Sequence, residues 1–229
     1  DRSVSRGLGD VYKRQDAHRR LLVSVGDLNA QTWEVLYNLG MVMQLQGRSD
    51  EALECMTQAH AKLTEILGGD HAATLTCENG LGSLLYDLDR LEDAFEVLDH
   101  TLVTRRRVLG NSHADTIASI ASVGAVQRDL GWLEEAARLG AESVERIRAV
   151  LPPGHWYVGG FQVQYGMTLG KMARYDEALE QLRAGHAVLA AAGADRQRLG
   201  QAEEAIAEVF DRLHEAAPGD GHDAEAARW

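Results

Sequence analysis

A period of 42 residues in small side chains constrains this chain more than any other feature of its sequence. Glycine recurs four times at that spacing, and alanine recurs four times, twelve residues after each glycine. The recurring residues are Gly40, Gly82, Gly124 and Gly166, and Ala52, Ala94, Ala136 and Ala178. A period of this length predicts an array in which each unit buries its apolar face against the next.

The residues around each alanine predict two helices per unit. A turn and an acidic opening precede the alanine, as in GRSDEAL from Gly47. In the first unit we expect helix A over about 33–46 and helix B over 49–67. A glycine inside a helix costs about 1 kcal/mol relative to alanine. Close approach of the two helices offsets that cost, because the missing Cβ at Gly40 lets Ala52 of helix B pack tightly.

The spacing of large and small residues resembles the tetratricopeptide repeat. That pattern has Leu-Gly and then a large residue in helix A, followed by Ala and a large residue in helix B. The matching residues in the first two units are Leu36, Leu39, Gly40, Met43, Ala52 and Met56, then Glu78, Leu81, Gly82, Leu85, Ala94 and Leu98. The residues that depart from the pattern in the later units are Gln127, Gly140 and Gln162.

The repeat length and the connector LGxxHxxTL are similar to the kinesin-light-chain type of this repeat. They are also similar to arrays at the C-terminal end of some bacterial serine/threonine kinases. The resemblance implies an all-α fold, a right-handed superhelical solenoid of antiparallel helix pairs.

The repeat register divides the chain into four parts. Residues 1–15 have no helical apolar period and resemble a translated sequencing adapter, so we expect a non-native segment. Residues 16–26 align with helix B of a truncated repeat. Four complete repeats fill 27–194, and 195–229 would form a degenerate terminal helix pair, beginning with a helix over 199–215, that caps the array.

Composition excludes several classes of partner. Lys and Arg number 23 against 35 Asp and Glu, a net charge of −12 that opposes binding to nucleic acid. No apolar run approaches the roughly 20 residues of a membrane span, so we expect no membrane partner. Cys55 and Cys77 belong to no CxxC or Cys/His cluster. We interpret them as buried thiols in a reducing compartment and place the chain in the cytoplasm.

Three histidines share one position of the repeat and are the first candidates for chemistry. They are His71, His113 and His155. Zinc needs nitrogen ligands at about 2.0–2.1 Å, whereas equivalent positions of packed helices lie at least about 8–10 Å apart, so we expect no metal site. Asn29 and Gln197 stand at this position in the first and last units, which favours a side chain that hydrogen-bonds the connector and starts helix A. The N-caps themselves are expected three residues later, at Thr32, Thr74 and Thr116.

Other motifs of catalysis are missing from the sequence. It contains no GxGxxG opening a helix after a strand, no Walker loop, no GxSxG and no HExxH. The one basic cluster, Arg105 to Arg107, is expected on a solvated outer face, paired with carboxylates. We therefore expect neither an enzyme nor a bound cofactor.

The resemblance implies a binding groove on the concave face, lined by helix A residues that are not used for packing. Tetratricopeptide grooves commonly take an extended peptide whose backbone is held by amide side chains, so Asn79 is the best single candidate. The expected contacts are Tyr37, Met41, Gln44, Asn79, Ser83, Tyr86, Arg128 and Lys171.

The sequence thus predicts a protein–protein interaction scaffold that binds a peptide or protein segment and catalyses nothing. The alternative is the C-terminal regulatory or substrate-recruiting region of a larger enzyme, above all a bacterial serine/threonine kinase. The upstream reading frame distinguishes the two, because a kinase domain there would carry a Gly-rich loop and an HRD segment.

Overall fold

A computed structural model describes residue 20 and residues 29–216, and between 29 and 216 it consists of nine α-helices without a strand. In chain order they are α1 Ala30–Leu45, α2 Ser49–Leu67, α3 Ala72–Asp87, α4 Leu91–Val108, α5 Ala114–Asp129, α6 Leu133–Val150, α7 Trp156–Lys171, α8 Tyr175–Ala191 and α9 Arg196–Ala216. The odd-numbered helices α1 to α7 are the A helices of four successive repeats, and α2, α4, α6 and α8 are their B helices. The all-α architecture of helix pairs is therefore confirmed.

The helices form two compact units, one of α1 to α4 and one of α5 to α9, with the boundary after Gly110. Within each unit every A helix packs on its B helix, and that B helix packs on the next A helix. Helix α1 begins at Ala30 and α9 at Arg196, each three residues earlier than predicted. The predicted segments 1–15 and 16–26 lie outside the described residues apart from Arg20, as does the second helix of the terminal pair.

The core of the first unit consists of the residues that carry the repeat pattern. It includes Trp33, Leu36, Leu39 and Met43 of α1 and Ala52, Met56, Ala59 and Leu63 of α2. The last four are at most 1% exposed. Their spacing of three or four residues places them on one face of each helix, so burial of the A/B seam stabilises the pair.

The recurring glycines lie where helices A and B approach most closely. A Cβ at Gly82 would stand 2.6 Å from Leu98 Cγ, and one at Gly166 would stand 2.7 Å from Leu182 Cγ. Gly124 differs, because the nearest atom to its added Cβ would be Leu139 Cβ at an ordinary 3.4 Å. The expected close approach therefore holds strongly for some repeats and only loosely for the third.

The loose contact in the third repeat follows from Gly140, which replaces the large helix B residue of the other repeats. The ring of Tyr165, from α7 of the next repeat, covers this gap, and a Cβ at Gly140 would stand 2.7 Å from its Cδ2 atom. A departure from the repeat pattern is thus compensated by a side chain from the following repeat.

The turn from helix A to helix B needs a left-handed residue at one fixed position. Gly47 and Gly131 supply it with φ of 74° and 83°, whereas Asp89 and Ala173 adopt φ of 58°. Acidic residues then open each B helix, as at Asp50 and neighbouring Glu51, where the helix dipole favours negative charge.

Helix α9 covers the last repeat of the second unit. Its buried residues Ile206, Val209 and Phe210 pack with Leu182 and Leu189 of α8. No helix within the described residues is long and apolar enough to cross a membrane.

Candidate functional site

The three repeated histidines each cap the helix that follows them. The Nδ1 atoms of His71, His113 and His155 accept the backbone N–H two residues later, each at 3.2 Å. In the first repeat the Asn29 side chain accepts the N–H of Gln31 at 2.9 Å. Accepting one of the unpaired N–H groups of the first turn stabilises a helix start, so the predicted scaffolding role is confirmed.

Two details of that prediction were wrong. Thr32, Thr74 and Thr116 are not N-caps but buried helix residues, at most 1% exposed. Gln197 lies inside α9, and Asp195 accepts the N–H of Arg198 instead, at 2.9 Å. Each of these A helices begins three positions earlier than expected, because an imidazole or a carboxamide can accept this bond as well as a hydroxyl can. Within the described residues no group of three or more His, Cys, Asp or Glu could hold a metal ion.

Tyr37 spans the two A helices of the first unit. Its ring lies over Gly80 of α3 so closely that a Cβ there would overlap the phenol. Burial raises the pKa of Tyr37 to about 12, with the Cys77 thiol adding to the rise and the Arg105 guanidinium opposing it. The hydroxyl therefore stays protonated at neutral pH.

Asn79 accepts a hydrogen bond from Arg105, a residue whose position was predicted wrongly from the sequence. Arg105 was expected on a solvated outer face, yet it is 4% exposed. Its guanidinium donates to Asn79 Oδ1 and to the Leu75 carbonyl, both at 3.3 Å. The repeat register carried the missed signal, because the equivalent residues 63, 147 and 189 are apolar and buried. Arg107 fits the prediction, since it pairs with Asp70 in solvent.

The remaining candidates of the first unit differ in exposure. Met41 is 40% exposed, and Leu45, four residues further along the same face of α1, is 86% exposed. Gln44 donates to Asp87 Oδ2 at 2.6 Å, which ties the ends of the two A helices together. The Ser83 hydroxyl donates to the carbonyl of residue 79 in its own helix, at 3.0 Å. The last candidate, Tyr86, is half-buried at the end of α3.

The second unit brings its two candidates together through one carboxylate. Asp129 accepts from Lys171 at 2.7 Å and from Arg128 at 3.0 Å. Arg128 is 4% exposed and also donates to Gln164 Oε1 at 2.7 Å. Lys171 reaches further into solvent, with 42% of its side chain exposed. Arg128 thus binds Asp129 from the buried side, and Lys171 is the accessible member of the cluster.

The first unit also contains a buried acid whose burial was not predicted from the sequence. Glu78 stands at a position that is apolar in two other repeats, and it is 7% exposed. Its carboxylate lies 2.7 Å from Nδ1 of His100 on α4. The pair links the A and B helices of the second repeat at their outer edge.

The sequence of the chain matches a known family over much of its length. A family model for the tetratricopeptide repeat matches residues 31–102 and 78–149, together more than half of the chain. This chain belongs to the tetratricopeptide repeat family. No curated protein matches it.

Solved tetratricopeptide structures share the fold at low sequence identity. A Podosopora anserina protein described as a kinesin light chain with nearly identical TPR-like repeats is 17% identical, with a TM-score of 0.70 over 87% of this chain and 95% of that one. BtubC (BKLC) from P. vanneervenii is 14% identical, with a TM-score of 0.73 over 100% of this chain and 91% of that one. A Rap protein complexed with Competence and Sporulation Factor is 17% identical, with a TM-score of 0.71 over 98% of this chain and 62% of that one. The expected likeness to kinesin-light-chain repeats is therefore confirmed for the fold.

Proposed function

We propose that this tetratricopeptide chain is a protein–protein interaction scaffold that binds a peptide or protein segment along its A helices and has no catalytic step of its own. The observation that carries the proposal is the surface of α1. Tyr37, Met41 and Leu45 follow one another at helical spacing and leave apolar surface in solvent, 40% and 86% exposed at the last two. Clustered exposed apolar side chains on a soluble fold are typical of binding surfaces.

Asn79 supplies the polar contact of this site. Arginine has only donors, so the atom that faces Arg105 is the amide oxygen. By its resemblance to other tetratricopeptide grooves, we assign to this amide a contact with the backbone of an extended peptide. Placing a guanidinium at a core position costs more than a leucine would, which supports a role beyond stability for the Arg105 and Asn79 pair.

In the second unit we assign the contact with the partner to Lys171 and Met167, which are more accessible than Arg128. Arg128 would then hold Asp129, which in turn orients Lys171. Gln44 has a similar orienting role in the first unit through Asp87. Ser83 and Tyr86 border Asn79 along α3 and complete the proposed surface.

Two structural neighbours support the binding of a partner. The Rap protein was solved with Competence and Sporulation Factor. YrrB, with a TM-score of 0.52, is described as a TPR protein with an unusual peptide-binding site. Attachment of the array to a bacterial kinase and a cytoplasmic location stay predictions.

A selected peptide tests the proposal. The purified chain is panned against a phage-displayed peptide library, and affinity for the enriched peptide is measured by fluorescence polarisation. Asn79→Ala with Tyr86→Ala should weaken binding at least about tenfold, as expected when an interface anchor is truncated. Circular dichroism checks that the helices remain. Glu96→Ala, on the exposed surface of α4, is the matched control and should bind like the parent. Equal affinity of the double variant would move the interface to the B helices or the connectors.

A further inference from the structure

The helix caps of this chain differ in one chemical property. The caps of α3, α5 and α7 are imidazole nitrogens, whereas the cap of α1 is a carboxamide oxygen. An imidazole Nδ1 accepts a hydrogen bond only while it carries no proton, and both ring nitrogens become donors in the charged form. A carboxamide oxygen accepts at any ordinary pH.

We propose that these histidines make the repeat array pH-sensitive: protonation of Nδ1 on His71, His113 and His155 releases the first turn of three A helices and leaves α1 capped by Asn29. Imidazole is the side chain that gains its charge between about pH 8 and pH 5. The bond to the backbone N–H is present at the high end of that range and lost as the pH falls. The new positive charge also faces the positive end of the helix dipole, which adds to the loss.

The surroundings of the three rings differ, so the size of the response should differ too. The charged group that faces His113 is Asp115, whose Oδ2 lies 3.8 Å from Nδ1. That carboxylate attracts a protonated ring and keeps it near the helix start. We therefore expect the smallest loss at α5.

His155 lies among rings and a cation. Its imidazole stacks on Tyr157 at 5.5 Å and on Trp156 at 6.1 Å between centroids. The Arg198 guanidinium of α9 lies 4.5 Å from the Trp156 ring. Arg198 is itself paired with Asp195, which balances its charge, and the aromatic faces beside His155 attract a protonated imidazole. The loss at α7 should therefore lie between the losses at α5 and α3.

The surroundings of His71 have the weakest attraction for a protonated ring. Its neighbour Asp70 is engaged by Arg107 of α4, which holds the pKa of Asp70 below its usual range, and His100 of the same helix acts on that carboxylate as well. The acid next to His71 is thus already neutralised in part, and it attracts a protonated imidazole less than a lone carboxylate would.

Other histidines respond in the opposite direction. His100 faces Glu78 on α3, and His186 faces Glu203 on α9. Protonation of these rings forms ion pairs that stabilise the fold at acid pH. A test must therefore compare variants that keep both pairs and differ only in the caps.

The chain provides the matched substitution, because Asn29 already performs the same role. The test compares the melting temperature at pH 8.0 and pH 5.5 of the parent and of His71→Asn/His113→Asn/His155→Asn. Loss of each cap should lower Tm by roughly 2–4 °C. The parent should thus lose roughly 6–12 °C more than the triple variant on acidification. An equal fall in both proteins would overturn the proposal.

The reverse substitution and a direct observation of the rings complete the test. Asn29→His should enlarge the acid-induced fall of Tm by about one further cap, roughly 2–4 °C, and it remains informative if the triple variant does not fold. Side-chain 15N NMR of the parent at pH 8.0 should show the three rings with the proton on Nε2. A proton on Nδ1 in these rings, or no change of Tm response in Asn29→His, would contradict the assigned role.

Discussion

Replacing the repeated helix A glycine by alanine should have opposite effects in two neighbouring repeats. Gly124 and Gly166 hold the same repeat position and belong to the same compact unit. Alanine favours a helix interior over glycine by about 1 kcal/mol at either site. This shared contribution cancels when the two variants are compared, so that the difference reports the packing around the new methyl group.

The packing at the two sites differs by more than half an ångström. At Gly166 the new Cβ would stand 2.7 Å from Leu182 Cγ and 3.1 Å from the Ala178 carbonyl oxygen. Leu182 is 0% exposed and has no solvent to move into. Carbon atoms prefer about 3.5–4.0 Å, and overpacking of this kind costs about 1–3 kcal/mol. At Gly124 the nearest atom would be at 3.4 Å, so the methyl group fits.

Gly124→Ala should therefore raise the free energy of unfolding by up to about 1 kcal/mol. Gly166→Ala should change it by about 0 to −2 kcal/mol, which puts the two variants about 1–3 kcal/mol apart. Urea titrations followed by circular dichroism at 222 nm measure both. Hydrogen exchange of the amides of α5 and α7 then locates each change within the unit.

Equal stability of the two variants, or a more stable Gly166→Ala protein, would refute the close-packing explanation of the repeated glycine. Gly82→Ala provides a replicate in the first unit, because its Cβ would stand 2.6 Å from Leu98 Cγ. It should resemble Gly166→Ala rather than Gly124→Ala.

Three further predictions concern single side chains. Ala173→Gly should raise the free energy of unfolding by about 1 kcal/mol, because φ of 58° strains a residue with a Cβ. A higher urea midpoint would show this. Asp129→Ala should destabilise the fold by about 1–3 kcal/mol in the same assay, since the buried guanidinium of Arg128 loses its carboxylate. Lys171→Ala should cost less than about 1 kcal/mol, because the Lys171 side chain is 42% exposed. Burial raises the pKa of Cys77 to about 12, so at pH 8 a disulfide reagent should modify half-buried Cys55 first and Cys77 only in denaturant; equal rates in the native protein would contradict this.

A few residues show which parts of the site could be predicted from the sequence. The repeat register placed Met43 and Met56 in the core and the three histidines at helix starts, because those roles depend on spacing along one or two helices. The prediction for Arg105 was wrong because it followed the charge of the residue and not the repeat register, which places this residue in the core. The register alone also left Tyr37 and Asn79 as expectations, and the structure adds the contacts with Gly80 and Arg105 that hold them.

The sequence by itself determined the helix pairs, their order and the small residues between them, since helical spacing and turn residues act over a few positions of the chain. Only the tertiary structure decided how each gap is filled. Tyr165 covers Gly140 from 25 residues away, and Arg105 reaches Asn79 from 26 residues away. The physical reason is that a side chain in a packed interior takes the conformation its neighbours allow, and those neighbours come from other helices.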